Sequence, residues 1–157
     1  MGLTLLGTRG AGSNKHEGRP GWSISSYTTN FSDVSGANPF WIAGAVNFPQ
    51  YLTDNSIAVP DWVAIHLGIN DVFAQTTDAE ALGAAVTAFA SLDTLITSIK
   101  AAGAGVKVAL LLPTPPASSQ DAFGASYGTG QTRWRFKRNI LLWARALITR
   151  YAGQEAS

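Results

Sequence analysis

There is no cysteine in this chain of 157 residues. Disulfide staples, zinc–thiolate centres and thiol catalysis are therefore excluded. Histidine is nearly as scarce, so that His16 and His66 are the whole supply of imidazole for acid–base or metal chemistry. Charged residues make up only 13% and the formal net charge is +1. No global field steers such a protein toward nucleic acid or an anionic membrane. No uninterrupted apolar run approaches the roughly 18 residues of a membrane span. Residues 1–10 lack the charged start and long apolar stretch of a signal peptide, which leaves the compartment open, a secreted one included.

What is present is a foldable, apolar composition. The hydrophobic fraction is 46%, incompatible with disorder and sufficient at this length for one core without staples. The cations are uneven, with Arg133, Arg135, Lys137, Arg138, Arg145 and Arg150 near the C-terminal end. They read as the solvated face of a helix.

Leu3-Thr4-Leu5-Leu6, stopped by Gly7, reads as a strand, and residues 10–21 as a loop. Residues 22–27 are predicted as a short helix with Ile24 and Tyr27 on one face. Residues 31–60 are predicted to be mostly irregular, because Pro39, Pro49 and Pro60 each disfavour helix at the residue before. Residues 62–67 form the clearest strand, apolar enough to be covered on both faces. Thr77 and Glu80 are spaced as a capping box. A long helix follows, with Leu82, Val86, Phe89, Leu92, Ile96 and Ile99 on its inner face and Gly103 as a left-handed stop. Residues 106–112 are a second buried-type strand. Residues 117–130 are a polar insertion. Residues 131–151 are a second long helix, with Trp134, Lys137, Leu141, Ala144, Ile148 and Tyr151 near one stripe. Alternation of this kind predicts an α/β fold with a mostly parallel sheet and helices on both faces.

Ligands bind such sheets at the carboxyl ends of the strands. Three loops leave those ends: residues 7–21, 68–73 and 113–116. The first contains His16-Glu17-Gly18-Arg19-Pro20-Gly21-Trp22-Ser23-Ile24. The second follows the strand in Val63-Ala64-Ile65-His66-Leu67-Gly68-Ile69-Asn70-Asp71. The latter resembles the third block of the SGNH/GDSL hydrolase superfamily, an apolar strand running into Gly-x-Asn-Asp. The former is similar to the second block of the branch that contains acetyl-xylan esterases and related carbohydrate esterases.

The resemblance implies a three-layer α/β/α flavodoxin-like fold and a serine ester hydrolase without metal or other cofactor. Its substrate would be a small acylated molecule, a carbohydrate ester, with neither nucleic acid nor membrane as partner. It implies that the backbone of Gly21 and the side-chain amide of Asn70 are oxyanion donors, with Trp22, His16, Thr114 and Pro115 beside the substrate. Two family blocks have no counterpart, because the chain contains neither Gly-Asp-Ser nor Asp-x-x-His. The resemblance would place the serine before Met1 and the histidine after Ser157. The expectation is thus one domain over 1–157, truncated at both ends, lacking the first and last strands and inactive alone. A non-catalytic SGNH-like carbohydrate-binding or structural module is the alternative. Coding sequence for the two blocks on either side would favour the enzyme.

Plainer readings stand beside these. Gly124-Ala125-Ser126-Tyr127-Gly128 has the spacing of a nucleophile elbow, but no histidine follows it, and a surface loop is the better reading. His66 reads as a core histidine. Asn70 and Asp71 would also suit a turn after a strand. Trp22, Phe40, Trp41 and Phe48 would line a sugar site or, more commonly, a core.

Overall fold

The computed structural model describes residues 3–116, 118–127 and 130–154, the side chain of Ser126 excepted. Two short ribbons come first: β1 (Ser32–Asp33) with β2 (Gly36–Ala37), and β3 (Trp41–Ile42) with β4 (Ala45–Val46). Helix α1 (Phe48–Asp54) follows, then β5 (Trp62–Ile65) and α2 (Ile69–Val72). Helix α3 (Asp78–Lys100), β6 (Lys107–Leu110), α4 (Gln120–Tyr127) and α5 (Arg133–Tyr151) complete the order.

The architecture is mixed α/β, but its parallel sheet is small. Strands β5 and β6 pair in register from Trp62 with Lys107 to Ile65 with Leu110. Residues 3–6 are not a strand. No strand pairs with them among the described residues, and Leu3 is 88% exposed. Without a ladder partner, the backbone of this exposed apolar tetrapeptide is left to water. The broad sheet covered on both faces is likewise absent among the described residues. Ile65 faces the core, whereas Trp62, Ala64 and His66 are exposed on the other side. His66 is therefore not the core histidine that its apolar neighbours predicted.

Local signals explain most helix starts. The Thr77 hydroxyl accepts the Glu80 N–H at 3.2 Å and the Glu80 carboxylate accepts the Thr77 N–H at 3.0 Å, the expected capping box. Helix α1 contradicts the irregular reading of its region. Asn47 caps it by accepting the Gln50 N–H at 3.0 Å, and Pro49 falls in the first turn, where no N–H is needed. Helix α4 replaces much of the predicted insertion, with the Ser119 hydroxyl accepting the Ala122 N–H at 3.2 Å. Residues 22–27 hold only a 3-10 turn at Ser25–Tyr27. Gly103 is not left-handed, and α3 has already ended at Lys100.

The core lies where α3 packs between α5 and the inner face of β6. Helix α3 buries Ala81, Ala85, Ala88, Phe89, Leu92, Leu95 and Ile99, while Leu82 and Val86 of the predicted stripe are exposed. It is also long and apolar enough by composition to cross a membrane, with a mean hydropathy of 1.5 over its best window. Counting uninterrupted apolar residues had missed this, and here the helix carries the core. Helix α5 buries Phe136, Ile140, Trp143 and Leu147 and leaves Trp134, Leu141 and Ile148 outside. Its arginines are not merely solvated. Arg135 and Arg138 both reach Asp78, and Arg150 reaches Asp93, so α5 is stitched to α3. The same core continues into an aromatic group, where Trp22 meets Tyr27 and Phe40 meets Phe48 and Tyr51 edge to face, with Tyr27 tilted against Phe40. Three of the four candidate sugar-site aromatics are thus core, and Trp41 is half-buried.

Candidate functional site

Just after β5 the chain turns at Gly68, which has φ +107° and begins α2. The positive φ favours glycine, and so does crowding. A Cβ on Gly68 would lie 2.2 Å from Cε2 of Trp143. The four-residue α2 then presents Asn70 at the surface and Asp71 partly buried. The Asn70 amide Nδ2 donates to the Trp22 carbonyl at 2.9 Å. Both oxygens of Asp71 accept the Ile24 N–H at 3.2 Å. Adjacent side chains of one short turn therefore grip the first loop across nearly fifty residues of sequence. Burial pushes the Asp71 carboxyl up, and the Ile24 bond offsets only part of that, leaving it above the usual aspartate value. Asp71 is thus a long-range tether, rather than only the stabiliser of its own turn.

The first loop is organised around Glu17. One of its carboxylate oxygens accepts the Thr8 N–H, the Thr8 hydroxyl at 2.7 Å and the Tyr51 hydroxyl at 2.6 Å. The other meets Arg19 at 3.1 Å. The Glu17 carbonyl accepts the Tyr27 hydroxyl at 2.9 Å. Burial pushes this carboxyl up, but the bonds from Tyr51, Thr8 and Arg19 outweigh burial and hold it below its ordinary value. Arg9 and His16 close the loop as an antiparallel bridge. Gly21 sits at φ +77° with open space where a Cβ would be, whereas Gly18 has an ordinary φ and its Cβ would meet His16. Of the two glycines, only Gly21 is required by its backbone conformation.

The remaining candidates divide. His16 is exposed, and its Nδ1 accepts the Gly18 N–H at 3.0 Å, so Nε2 carries the proton in the neutral ring. Trp22 is 2% exposed, with its indole N–H donated to Asp33 at 2.9 Å. Its ring is committed to the core, and it offers the loop surface only its backbone. Thr114 and Pro115 are exposed in the segment that follows β6. Because β5 and β6 run parallel, that segment leaves the sheet at the same end as the α2 turn. His66 is exposed beside the turn. In the elbow motif, Gly128 and the Ser126 side chain lie outside the described residues.

Sequence reasoning missed Glu17, whose signal was a carboxylate between His16 and Arg19 in a Gly-rich loop, and it read Asp71 of the Gly-x-Asn-Asp block only as a turn residue. Among the described residues no cluster of His, Asp or Glu is arranged to hold a metal. An apolar void of about 10 Å³ lies between Ile65, Leu92, Trp143 and Leu147, too small for a ligand. A groove of about 490 Å³ beside Asn47, Asp93 and Thr97 involves none of the loop residues above.

Residues 6–152 match the model of the GDSL-like Lipase/Acylhydrolase family. No curated protein and no solved structure gives a match. The family match spans both converging loops, the parallel strands and both long helices, and the chain belongs to the GDSL-like lipase/acylhydrolase family of SGNH hydrolases.

Proposed function

We propose that the turn at Asn70 and the loop at Gly21 form the oxyanion hole of a serine ester hydrolase acting on acylated carbohydrate. Family membership implies an ester substrate. Attack on an ester carbonyl puts negative charge on its oxygen, and fixed donors placed there are each worth about 3–4 kcal/mol. One observation carries the reading: the Asn70 amide is bonded to the Trp22 carbonyl, one residue from Gly21. A primary amide has two N–H donors. The one on Trp22 fixes the orientation, and the other remains for the substrate. Gly21, exposed and without a side chain, lets an ester approach its backbone. His16, Thr114 and Pro115 are the proposed walls. No Gly-Asp-Ser or Asp-x-x-His occurs in the 157 residues, so these residues supply charge stabilisation and positioning, not nucleophile or base.

Titration of the labelled protein with acetylated xylo-oligosaccharide tests the proposal by NMR. The Asn70 side-chain amide and the Gly21 N–H should shift together, Asn70→Ala should abolish the response, and p-nitrophenyl acetate should not turn over above background. Shifts confined to other residues would end the proposal. So would robust turnover lost on Ser126→Ala, which would move the chemistry to another part of the chain.

A further inference from the structure

Helix α2 has four residues, too few to satisfy its own terminal carbonyls. The carbonyl of its last residue, and that of Gln75 three residues on, are met from α5. Asn139 is fully buried, and its Nδ2 donates to the Val72 carbonyl at 2.9 Å and the Gln75 carbonyl at 2.8 Å. Its Oδ1 accepts Nε and Nη2 of Arg135 at 2.8 and 2.6 Å. All of the amide's donors and both lone pairs are used. Arg135 is fixed in turn by Asp78 at 2.8 Å. One helical turn further along α5, the Trp143 ring lies against Gly68, where even a methyl group would not fit. Positions 139 and 143 share one face of α5. Through them α5 holds α2 at both ends, by hydrogen bonds at its C-terminus and by van der Waals contact at its N-terminus.

A buried polar side chain with every group satisfied fixes geometry more narrowly than an apolar one of similar size. We propose that Asn139, held by Arg135, is a positioning residue that sets where the Asn70 amide and the Asp71 carboxylate lie. It touches no substrate and acts through α2. This rests on the assignment of Asn70 as an oxyanion donor, but the geometry it describes is measurable without any ester.

The test uses the full labelled chain and three variants. Asn139→Asp keeps an acceptor for Arg135 and loses both donors. Gln131→Met is milder, removing the side-chain bonds to the Phe73 and Gln75 carbonyls. Ser98→Ala is the control, because Ser98 is buried and bonds Phe48 and Val46 elsewhere. Expected for Asn139→Asp is a displaced Asn70 side-chain amide signal and roughly tenfold faster exchange at the Ile24 N–H. Gln131→Met should give the same changes in smaller measure, and it carries the test if Asn139→Asp does not fold. Ser98→Ala should leave both signals in place even where its melting temperature falls as far. Unmoved Asn70 and Ile24 signals in a folded Asn139→Asp or Gln131→Met variant, or equal changes in Ser98→Ala, would overturn the proposal. Failure of the ester reading would instead appear in the xylo-oligosaccharide titration, with these amide signals unaffected.

Discussion

At the scale of single residues, the site depends on how closely atoms approach rather than on charge. Gly68 combines a left-handed backbone with a ring against its Cα. Gly68→Ala should therefore lower the unfolding free energy by about 2–4 kcal/mol, since left-handed Cβ strain and forced overpacking add. Urea unfolding measures this. Combined with Trp143→Phe, the loss should be smaller than the sum of the two single losses, because the smaller ring leaves space for the new methyl. An additive double variant would mean that the backbone, not the ring, sets the penalty. Trp143 has its own peculiarity, a buried indole N–H with no hydrogen-bond partner among the described residues. Shape alone places that ring beneath the turn.

At the scale of elements, the loop over residues 7–21 has one antiparallel bridge, Arg9 with His16, and is tied to the rest of the molecule by the Glu17 carboxylate. That carboxyl sits below its ordinary value when folded. The unfolded chain therefore binds the proton more readily, and the tether is at full strength above the unfolded glutamate value. Its contribution is lost as pH falls through the folded value. Melting temperatures followed from neutral into acid pH should fall more steeply for the native chain than for Glu17→Gln. The amide keeps an acceptor for Thr8 and Tyr51 but does not titrate. Parallel curves would mean that the loop is held otherwise. Asp78 and Asp93 are also lowered, by Arg138 with Arg135 and, against burial, by Tyr151 with Arg150. They titrate in the same direction, so the comparison with Glu17→Gln is what isolates the loop. Of these α3–α5 pairs, Arg138–Asp78 and Arg150–Asp93 are exposed and weaken with salt, whereas Arg135 is mostly buried.

At the scale of the whole molecule, apolar surface is left open. Parallel strands are ordinarily covered on both faces, yet β5 exposes Trp62 at 61%, and Leu111 and Leu112 follow β6 at 45% and 50%. Trp134, Leu141 and Ile148 add an exposed stripe on α5. Exposed large apolar side chains in this number attract apolar solutes and other chains. An anilinonaphthalene sulfonate dye should fluoresce with the folded protein while its near-ultraviolet circular dichroism is retained. Fluorescence that appears only as that dichroism is lost would reflect unfolding instead.

Local chemistry was legible from the residues alone. Thr77 and Glu80 announce the start of α3 because a capping box is complete within four residues. The strands at Trp62 and Lys107 are written as short apolar runs bounded by Gly and Pro, and the two loop motifs point to the family. The faces of the helices were legible only in part: Phe89, Leu92 and Ile99 of the expected α3 stripe are buried, whereas Leu82 and Val86 are exposed. Both α3 and α5 are apolar on more than one side, and periodicity cannot choose between sides. Close packing among α2, α3 and α5 selects Ala81 and Ala85 over Leu82 and Val86, and Trp143 over Trp134. Nor could spacing reveal that Asn70 would bond Trp22, or that Asn139 would hold the far end of α2. Sequence specifies what is decided within a turn or a strand, where the interacting atoms are neighbours along the chain. Contacts between residues some fifty or more positions apart exist only after the core has brought two elements together, and those contacts place the site.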